Sequence, residues 1–491
     1  YTIGGTMVRS RLLHAVTIGF FVLAVAPAAA QWVNGQQADL VLGQSTFTTN
    51  VSGLAADSLN FPTGLAIDPT TGKLFVADIA NHRVLRWPSV AALVSGSPAE
   101  AVFGQPDLES SVRQTTRDGM SFPTDVTVDA EGRLYVADAI NNRVLRFDSA
   151  SYKPTGANAD GVLGQPDFTS ALDTVTRNGM DYARGVTVDG AGTVWVSDQI
   201  NDRVLRFDNA ASKPNGADAD GVLGQKDFTS KVQDTSRSGM NVPRGLAVDA
   251  EGRLWVATSF NHRVMRFDNA AAKPNGADAD GVLGQQDFTS AVQATTPDGM
   301  REPIGVALDQ TGRLYVTDNR NNRVLWFDSA ASKPNGASAD GVFGQPDFTS
   351  NEDTITDRGM WGPWGVTVEK VNGRIWVADS ENQRVLRFSP TAPVSVDPGD
   401  VSAPGRFALH QNYPNPFNPV TVIQYDLSER SHVTLRVFNV LGEDVATLVD
   451  EVQGAGHRSV DFVGAGLPSG VYLYRLNAGG FVETKKMSLV R

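Results

Sequence analysis

A stretch of ten residues returns several times along this chain at a fixed spacing. It reads GVLGQPDFTS from Gly161, and near-identical copies follow it downstream. The GQ pair of this stretch occurs six times, with glycines at Gly43, Gly104, Gly164, Gly224, Gly284 and Gly344. The last five of these glycines are 60 residues apart. A period of this length predicts a repeat architecture, in which each unit buries its apolar surface against the next unit.

Each repeat contains four short runs that have the character of β-strands. In one repeat they are GVLG from Gly161, GVTVD from Gly185, TVWVSD from Thr193 and RVLRF from Arg203. β-branched and aromatic residues fill the runs, turn residues separate them, and no run has a helical period. Four strands per repeat is typical of the blade of a β-propeller. Because the set of strands occurs six times, the sequence predicts an all-β, six-bladed propeller.

The order of the runs predicts how the ring closes. The first VLGQ run begins at Asp39, before the first inner strands, and none follows the last RVLRF run at Arg384. We therefore expect the N-terminal strand to complete the last blade, which removes an open sheet edge.

The core consensus of the repeat is GxLYVADxxNxRVLRF. It is seen in GKLFVADIANHRVLRW from Gly72, GRLYVADAINNRVLRF from Gly132 and GRIWVADSENQRVLRF from Gly373. This pattern resembles the NHL-repeat family of propellers, and the resemblance covers about residues 39 to 390. Membership would imply a scaffold for binding or, less often, for lyase or hydrolase chemistry, and no single activity.

Charge and cysteine content exclude several functions. The formal net charge is -12, which argues against general affinity for nucleic acid or for anionic membranes, since both need clustered Lys and Arg. The chain has no cysteine, so disulfides, thiolate metal sites and cysteine nucleophiles are excluded.

The N-terminal segment predicts export. Its pattern predicts Met7 as the start of the protein. After it, a charged segment with Arg9 and Arg11 precedes an apolar stretch, and Ala28 to Ala30 resemble a cleavage site. A membrane anchor is the alternative, but the apolar stretch is shorter than the ~20 residues that cross a bilayer. We expect a signal peptide over residues 1–30, the propeller over 31–390, and no stable membrane span.

A different module follows a Pro-rich linker predicted at residues 391–406. In residues 407–491, Val433, Leu435 and Val437 alternate with polar residues, which predicts a half-exposed strand of a small Ig-like β-sandwich. Its YPNPFNP, LGEDVATL, SGVY and KKM elements resemble the type A sorting domain of the type IX secretion system. The resemblance implies that this machinery is a partner, and that the chain is released or surface-attached by a Gram-negative bacterium of the Bacteroidetes and Ignavibacteria kind.

Repetition separates structural residues from site residues, because a residue present in every blade serves the blade. Asp138, Asn141 and Arg143 flank one hairpin and are expected to contact each other, with Asn141 bonding turn amides. The same trio recurs in four other blades. In the fourth blade Thr258 replaces the aspartate, which is expected to leave Arg263 without that partner.

The connection just before each inner strand breaks the symmetry. Its last positions are expected to form a ring around the channel: Thr63, Thr124, Arg184, Arg244, Ile304 and Trp364. Two arginines on adjacent blades, opposite a tryptophan-rich sector, are suited to an anionic or planar ligand. The alternative is that these are ordinary variable loop residues. The predicted ligand-binding residues are Arg184, Arg244, Trp361, Trp364, Arg301, Glu302 and Phe260.

Metal chemistry has little support in the sequence. In the propeller only His82 and His262 occur, in equivalent turns on opposite sides of the ring, so they cannot bind one ion. Propeller lyases that resemble NHL proteins use a histidine-bound metal, and that ligand set has no match here. No cofactor is predicted, except for calcium as an option in the D-x-D-G loops with Asp218, Asp220, Asp278 and Asp280, which lack the bidentate glutamate.

The favoured function is a secreted or cell-surface scaffold that binds an extracellular ligand, a peptide or a glycan, without catalysis. Two alternatives stay open. One is an extracellular lyase or lactonase-like hydrolase with a carboxylate-bound divalent ion on the same face, and the other is a structural or adhesion protein.

Overall fold

The computed structural model describes residues 32–391, 407–412, 415–454 and 456–490. The predicted signal peptide and nearly all of the predicted linker lie outside these residues. The described part consists of six four-stranded antiparallel sheets followed by a three-stranded and a four-stranded sheet, and the prediction of an all-β propeller with a C-terminal sandwich is confirmed.

Each propeller blade runs from an inner strand at the channel to a short outer strand. The strands are β1 (Leu40–Leu42); β2 (Pro62–Ile67), β3 (Lys73–Asp78), β4 (Arg83–Ser89) and β5 (Ala101–Phe103); β6 (Pro123–Val128), β7 (Leu134–Asp138), β8 (Arg143–Phe147) and β9 (Gly161–Leu163); β10 (Ala183–Val188), β11 (Val194–Asp198), β12 (Arg203–Phe207) and β13 (Gly221–Leu223); β14 (Pro243–Val248), β15 (Leu254–Thr258), β16 (Arg263–Phe267) and β17 (Gly281–Leu283); β18 (Pro303–Leu308), β19 (Leu314–Asp318), β20 (Arg323–Phe327) and β21 (Gly341–Phe343); β22 (Pro363–Val368), β23 (Ile375–Asp379) and β24 (Arg384–Phe388).

Single turns of 3₁₀ helix are the only helical elements among the described residues. They occupy hairpin tips and the connections to outer strands: Ile79–Asn81, Val90–Ala92, Ala139–Asn141, Ala150–Tyr152, Ala210–Ser212, Ser259–Asn261, Ala270–Ala272, Asn319–Asn321, Ala330–Ser332 and Ser380–Asn382.

The ring closes as the order of the runs predicted. β1 pairs antiparallel with β24, with Leu40, Val41 and Leu42 opposite Arg387, Leu386 and Val385. An ion pair between Asp39 Oδ1 and Arg387 Nε, 2.8 Å long, extends the contact. The first strand of the described chain therefore completes the last blade.

The core lies between the blades. Residues from both faces of each sheet pack against the neighbouring sheets, and Trp87, Trp195, Trp255 and Trp376 are among the largest fully buried side chains. Because both faces are covered, the strands are mostly apolar rather than strictly alternating. Each buried Val or Leu stabilises the fold by about 1.5–3 kcal/mol.

A buried aspartate–arginine pair holds the tip of the middle hairpin in five blades. In the second blade, Asp138 Oδ2 accepts hydrogen bonds from Arg143 Nε at 2.7 Å and from Asn141 Nδ2 at 2.8 Å. Asp138 Oδ1 accepts the backbone N–H of Ser121, which fixes the connection before the inner strand. Asn141 thus donates to a carboxylate and, through the same nitrogen, to the carbonyl of Gln114, so the prediction that it bonds turn amides is wrong.

The fourth blade lacks this carboxylate. Thr258 Oγ1 donates to the carbonyl of Arg263 at 3.4 Å, and Arg263 Nε has no hydrogen-bond partner among the described residues. Burial lowers the pKa of Arg263 to about 10. The loss of the partner that the sequence predicted is therefore seen in the structure.

The C-terminal module is a β-sandwich. One sheet contains β25 (Ala408–Leu409), β26 (Val420–Leu427) and β29 (Gly456–Val463), and the other contains β27 (Ser431–Phe438), β28 (Asp444–Gln453), β30 (Gly470–Ala478) and β31 (Phe481–Leu489). On β27, Val433, Leu435 and Val437 are buried, in agreement with the predicted alternation.

Candidate functional site

The ring residues occupy one position in all six blades, the second residue of each inner strand. The residue directly before each inner strand, two places before the ring residue, has a positive φ. These residues are Phe61, Phe122, Tyr182, Val242, Glu302 and Gly362, with φ between 53° and 67°. Five are not glycine, and side chains of this kind rarely adopt this conformation. The turn sets the direction of the inner strand, whose second residue is the ring residue.

A side chain of the preceding hairpin holds each of these turns. The backbone N–H of Tyr182 donates to Asn142 Oδ1 at 2.7 Å, and that of Val242 donates to Asp202 Oδ1 at 2.8 Å. In two blades the acceptor is the Nδ1 atom of a histidine, His82 or His262. The two histidines of the propeller therefore have a structural role that the sequence did not predict.

Glycine follows the ring residue in five of the six blades, because the inner strands approach closely there. A Cβ atom on Gly185 would lie 2.0 Å from the carbonyl oxygen of Arg244, and one on Gly365 would lie 2.1 Å from that of Thr63. These contacts bring the ring residues of neighbouring blades together across the narrow channel.

Three ring residues stack on each other inside the channel. The guanidinium carbon of Arg184 lies 4.4 Å from the centroid of the Trp364 ring, and that of Arg244 lies 5.7 Å from it. Phe61 packs edge-on against the same indole at 5.3 Å. Arg184 Nη1 also donates to the Tyr182 hydroxyl at 3.3 Å. The structure thus brings together the two arginines and one of the two tryptophans that the sequence singled out.

Both arginines have an unsatisfied donor. The Nε atoms of Arg184 and Arg244 are buried and have no hydrogen-bond partner among the described residues. Arg184 is only 7% exposed. Burial lowers the pKa of both groups, and burial together with the charge of Arg184 lowers the pKa of Arg244 to about 9. Two cations with like charge therefore share one aromatic face.

An acidic residue that the sequence did not single out lies beside them. Asp125 takes the place of the glycine in the second blade; its Oδ1 accepts the N–H of Val126 at 2.9 Å and its Oδ2 accepts that of Val186 at 3.0 Å. Burial raises the pKa of Asp125 to about 7. The symmetry test, applied one residue further along the inner strand, would have identified this position.

A cavity of about 320 Å³ extends from the ring along the channel towards its opposite end. Its lining is formed mainly by the inner strands and includes Asp125, Arg184, Arg244 and Trp364. A volume of this size is within the range of small-molecule sites, at the lower end.

The other four predicted residues lie away from this cavity. None of Trp361, Arg301, Glu302 and Phe260 is among its lining residues. Trp361 and Phe260 are exposed by 40% and 49%, and Glu302 lies 3.5 Å from Arg320 in an exposed ion pair. These four residues, which precede the inner strands or lie at a hairpin tip, form a rim outside the cavity. The single face expected from the sequence is therefore two separate regions in the structure.

The geometry of the acidic loops is explained by lysine pairing. Asp220 Oδ2 accepts the N–H of Asp208 at 2.7 Å and lies 2.9 Å from Lys213 Nζ. Asp280 makes the equivalent contacts. Within the described ranges, no group of three or more His, Asp or Glu side chains is arranged to hold a metal ion. Calcium in these loops stays a prediction.

Comparison with known proteins agrees with the two modules. The family model for the NHL repeat matches residues 59–87, 120–147, 300–327 and 360–388, and the model for the secretion system C-terminal sorting domain matches residues 411–490. The sorting domain indicates secretion or location at the cell surface. No helix in the described part of the chain has the length and apolar character needed to cross a membrane.

Curated relatives are distant. The chain is 23% identical over 282 residues to the chloroplastic protein SUPPRESSOR OF QUENCHING 1 of Arabidopsis thaliana. The match covers 55% of this chain and 25% of that protein. It is 25% identical over 264 residues to Regucalcin of Xenopus laevis, covering 50% of this chain and 86% of that protein. The chain thus spans a quarter of the length of the first of these relatives.

Among solved structures, the chain is similar to a structural genomics protein of unknown function from Bacteroides thetaiotaomicron. The identity is 15%, the TM-score is 0.46, and the match covers 72% of this chain and 76% of the other.

Proposed function

The chain joins an NHL-repeat propeller to a type IX secretion sorting domain, and on this premise we propose that it is an exported scaffold that binds a small anionic ligand. Arg184, Arg244 and Trp364 hold this ligand in the channel. The ligand enters the cavity and reaches the guanidinium groups at its end.

The observation that carries this proposal is the pair of buried Nε donors on Arg184 and Arg244. A buried donor without a partner costs about 1–3 kcal/mol, and more on a charged group. An anion in the cavity supplies the missing acceptors and the missing negative charge together. Arginine is suited to this role because its donors lie in one plane and match the two oxygens of a carboxylate.

Trp364 explains how the two cations are held in the channel although neither forms an ion pair with a carboxylate side chain at hydrogen-bond distance among the described residues. Its ring lies against both guanidinium groups, which stabilises the cations by cation–π contact and leaves their Nε–H groups without a partner in the part of the chain that the structure describes. The bound anion then lies at the edge of the guanidinium groups rather than on their faces.

The rim residues Trp361, Phe260, Arg301 and Glu302 belong to the proposal as a second contact surface. They combine exposed aromatic rings with charges of both signs, a composition suited to a peptide or a glycan. This surface lies outside the cavity lining, and each region requires its own binding test.

The test of the proposal is the thermal stability of the full chain at increasing concentrations of butyrate or benzoate, at constant ionic strength. A ligand that binds only the folded state raises the midpoint of unfolding as its concentration rises. We expect this rise in the wild type and in the control Arg117→Ala, an exposed arginine outside the cavity lining. We expect it to be lost in Arg184→Ala and in Arg244→Ala. Equal shifts in all four proteins, or no shift in the wild type, would refute the proposed site.

A further inference from the structure

Asp125 is the one acidic residue at its position in the six blades; the other five positions are Gly64, Gly185, Gly245, Gly305 and Gly365. Its carboxylate does not close an ion pair of the kind that Asp138 makes with Arg143. Both oxygens accept backbone N–H groups, one from its own strand β6 and one from β10. The carboxylate is thereby fixed at the channel edge of two blades, among the residues that line the cavity.

The charged groups that face Asp125 come from β10 and from the strand beyond it. Arg184 on β10 is the cation that acts on the carboxylate, and Arg244 on β14 lies behind it against the same indole. The titratable Tyr182 hydroxyl, next to β10, accepts from Arg184. Strand β2 on the other side carries no charged residue. On β7, the neighbouring strand in the same sheet, Asp138 is engaged by Arg143.

We call Arg184, Arg244 and Asp125 the charged layer of the channel, and the net charge of this layer is small. Within the cavity lining near the ring, Arg184 and Arg244 contribute two positive charges, and an ionised Asp125 removes one of them. Outside the lining, Glu302 also acts on Arg244, but its charge is compensated by the ion pair with Arg320. One negative charge on a ligand then leaves the layer neutral, and a second one leaves an uncompensated negative charge next to Asp125 in a partly buried site, which is unfavourable.

The walls indicate what else the ligand contains. The inner strands present half-buried Thr127, Thr187 and Thr367 to the cavity, followed by aliphatic residues such as Val128 and Val188. Hydroxyl and aliphatic groups favour an organic body with some polar character over a bare inorganic ion.

We propose that the channel site is selective for a small organic monocarboxylate, and that Asp125 sets the limit of one negative charge. This inference rests on the proposed anion binding and adds the ligand class to it. Asp125 acts as a specificity residue, because it discriminates between anions of different charge and is not required to hold the first carboxylate.

The position of Asp125 gives the selectivity a pH dependence with a definite sign. Burial raises the pKa of this carboxyl to about 7, so that it is ionised above pH 7 and protonated below it. Protonation leaves two positive charges in the layer. A dianion is therefore rejected above pH 7 and accepted more readily below it.

The experiment compares butyrate with succinate, which have the same number of carbons and differ by one carboxylate. Binding to the full chain is measured by titration calorimetry at about pH 6.5 and about pH 8, where the carboxyl groups of both acids are largely ionised. We expect the wild type to prefer butyrate at the higher pH, and its affinity for succinate to rise roughly tenfold at the lower pH.

The informative variant is Asp125→Gly, because glycine occupies this position in the five other blades and is compatible with the fold. We expect succinate to bind this variant at least as tightly as butyrate at both pH values. The control is Asp118→Gly, which removes an exposed carboxylate outside the cavity lining and is expected to keep the wild-type preference.

The outcomes separate the two proposals. If both acids bind through Arg184 and Arg244 and Asp125→Gly leaves their ratio and its pH dependence unchanged, the inference about Asp125 is wrong and anion binding stands. If neither acid binds the wild type at either pH, both proposals are wrong.

Discussion

Arg263 lacks the aspartate that pairs with the equivalent arginine in the other blades, and it therefore shows what that carboxylate contributes to a blade. In five blades the equivalent arginine bonds an aspartate with both side chains fully buried, whereas Arg263 keeps its backbone acceptors and loses the carboxylate. The carbonyl contacts alone thus maintain the hairpin, and the aspartate supplies charge compensation and fixes the connection before the inner strand.

Restoring the aspartate is expected to stabilise the protein. We expect Thr258→Asp to raise the free energy of unfolding by about 2 kcal/mol, because the carboxylate gains hydrogen bonds to Arg263 Nε and Asn261 Nδ2. The measurement is denaturant unfolding followed by tryptophan fluorescence.

The reciprocal variant, Asp198→Thr in the third blade, serves as the matched comparison. It leaves Arg203 without its buried partner and is expected to cost about 3–5 kcal/mol. If Thr258→Asp has no effect or destabilises the fold while Asp198→Thr has the expected effect, the fourth blade has adapted to the absence of the carboxylate in another way.

The two propeller histidines are expected to make stability depend on pH. Burial lowers the pKa of His82 and of His262, and each Nδ1 accepts a backbone N–H, which requires the neutral ring. Their stabilising contribution is present above the ordinary histidine pKa of ~6.5 and is lost as the pH falls below it. In blades two and five an asparagine performs the same function without titrating.

The double variant His82→Asn and His262→Asn tests this role. We expect it to match the wild type near pH 8 and to lose less stability than the wild type near pH 5, by about 1 kcal/mol or less for each site. The thermal midpoint measured across this pH interval gives the comparison. A variant that follows the wild-type pH profile would show that the histidines do not act through Nδ1.

At the scale of elements, the three-residue strand β1 closes the ring of blades. It covers the edge of β24 and joins two parts of the chain that are more than 340 residues apart in sequence, since Leu40 lies opposite Arg387. The register places Val41 directly opposite Leu386. Side chains of directly opposite residues point to the same face of a sheet.

This register can be tested by cross-linking, because the chain has no cysteine of its own. We expect Val41→Cys with Leu386→Cys to form a disulfide under oxidising conditions and to raise the thermal midpoint. In the control, Val41→Cys with Val385→Cys, the two side chains point to opposite faces, and no cross-link is expected. Migration on a non-reducing gel distinguishes the two. A cross-link in the control alone would contradict the closure seen here.

The inner strands show where sequence reasoning succeeds and where it ends. The repeats identified the ring positions, because the period fixes which residues are equivalent, and the break in symmetry pointed to Arg184 and Arg244. The period does not fix depth along the channel, so it did not separate the rim, with Trp361, from the cavity below the ring. Asp125 was missed because the comparison of blades ended at the ring residue itself.

At the scale of the whole molecule, two modules have separate tasks. The sorting domain over residues 411–490 directs export, and the propeller supplies Arg184, Arg244 and Trp364 of the proposed binding site, whose cavity lining also includes Asn418, Pro419 and Val420 of the sorting domain. We expect a chain that lacks residues 407–491 to stay in the periplasm. Fractionation of the producing cells, with the full chain as control, measures this. Normal release of the shortened chain would contradict the role of the domain.

Closure of the ring also determines how the propeller responds to mechanical force. The C-terminal module follows β24 in the chain, so a force applied to that module reaches the propeller at Phe388. In its sheet, β24 lies between β1 and β23 and is hydrogen-bonded on both sides. Pulling on it shears two ladders at once instead of peeling a free edge one bond at a time. A propeller closed in this way resists unfolding when it is pulled from its C-terminal end.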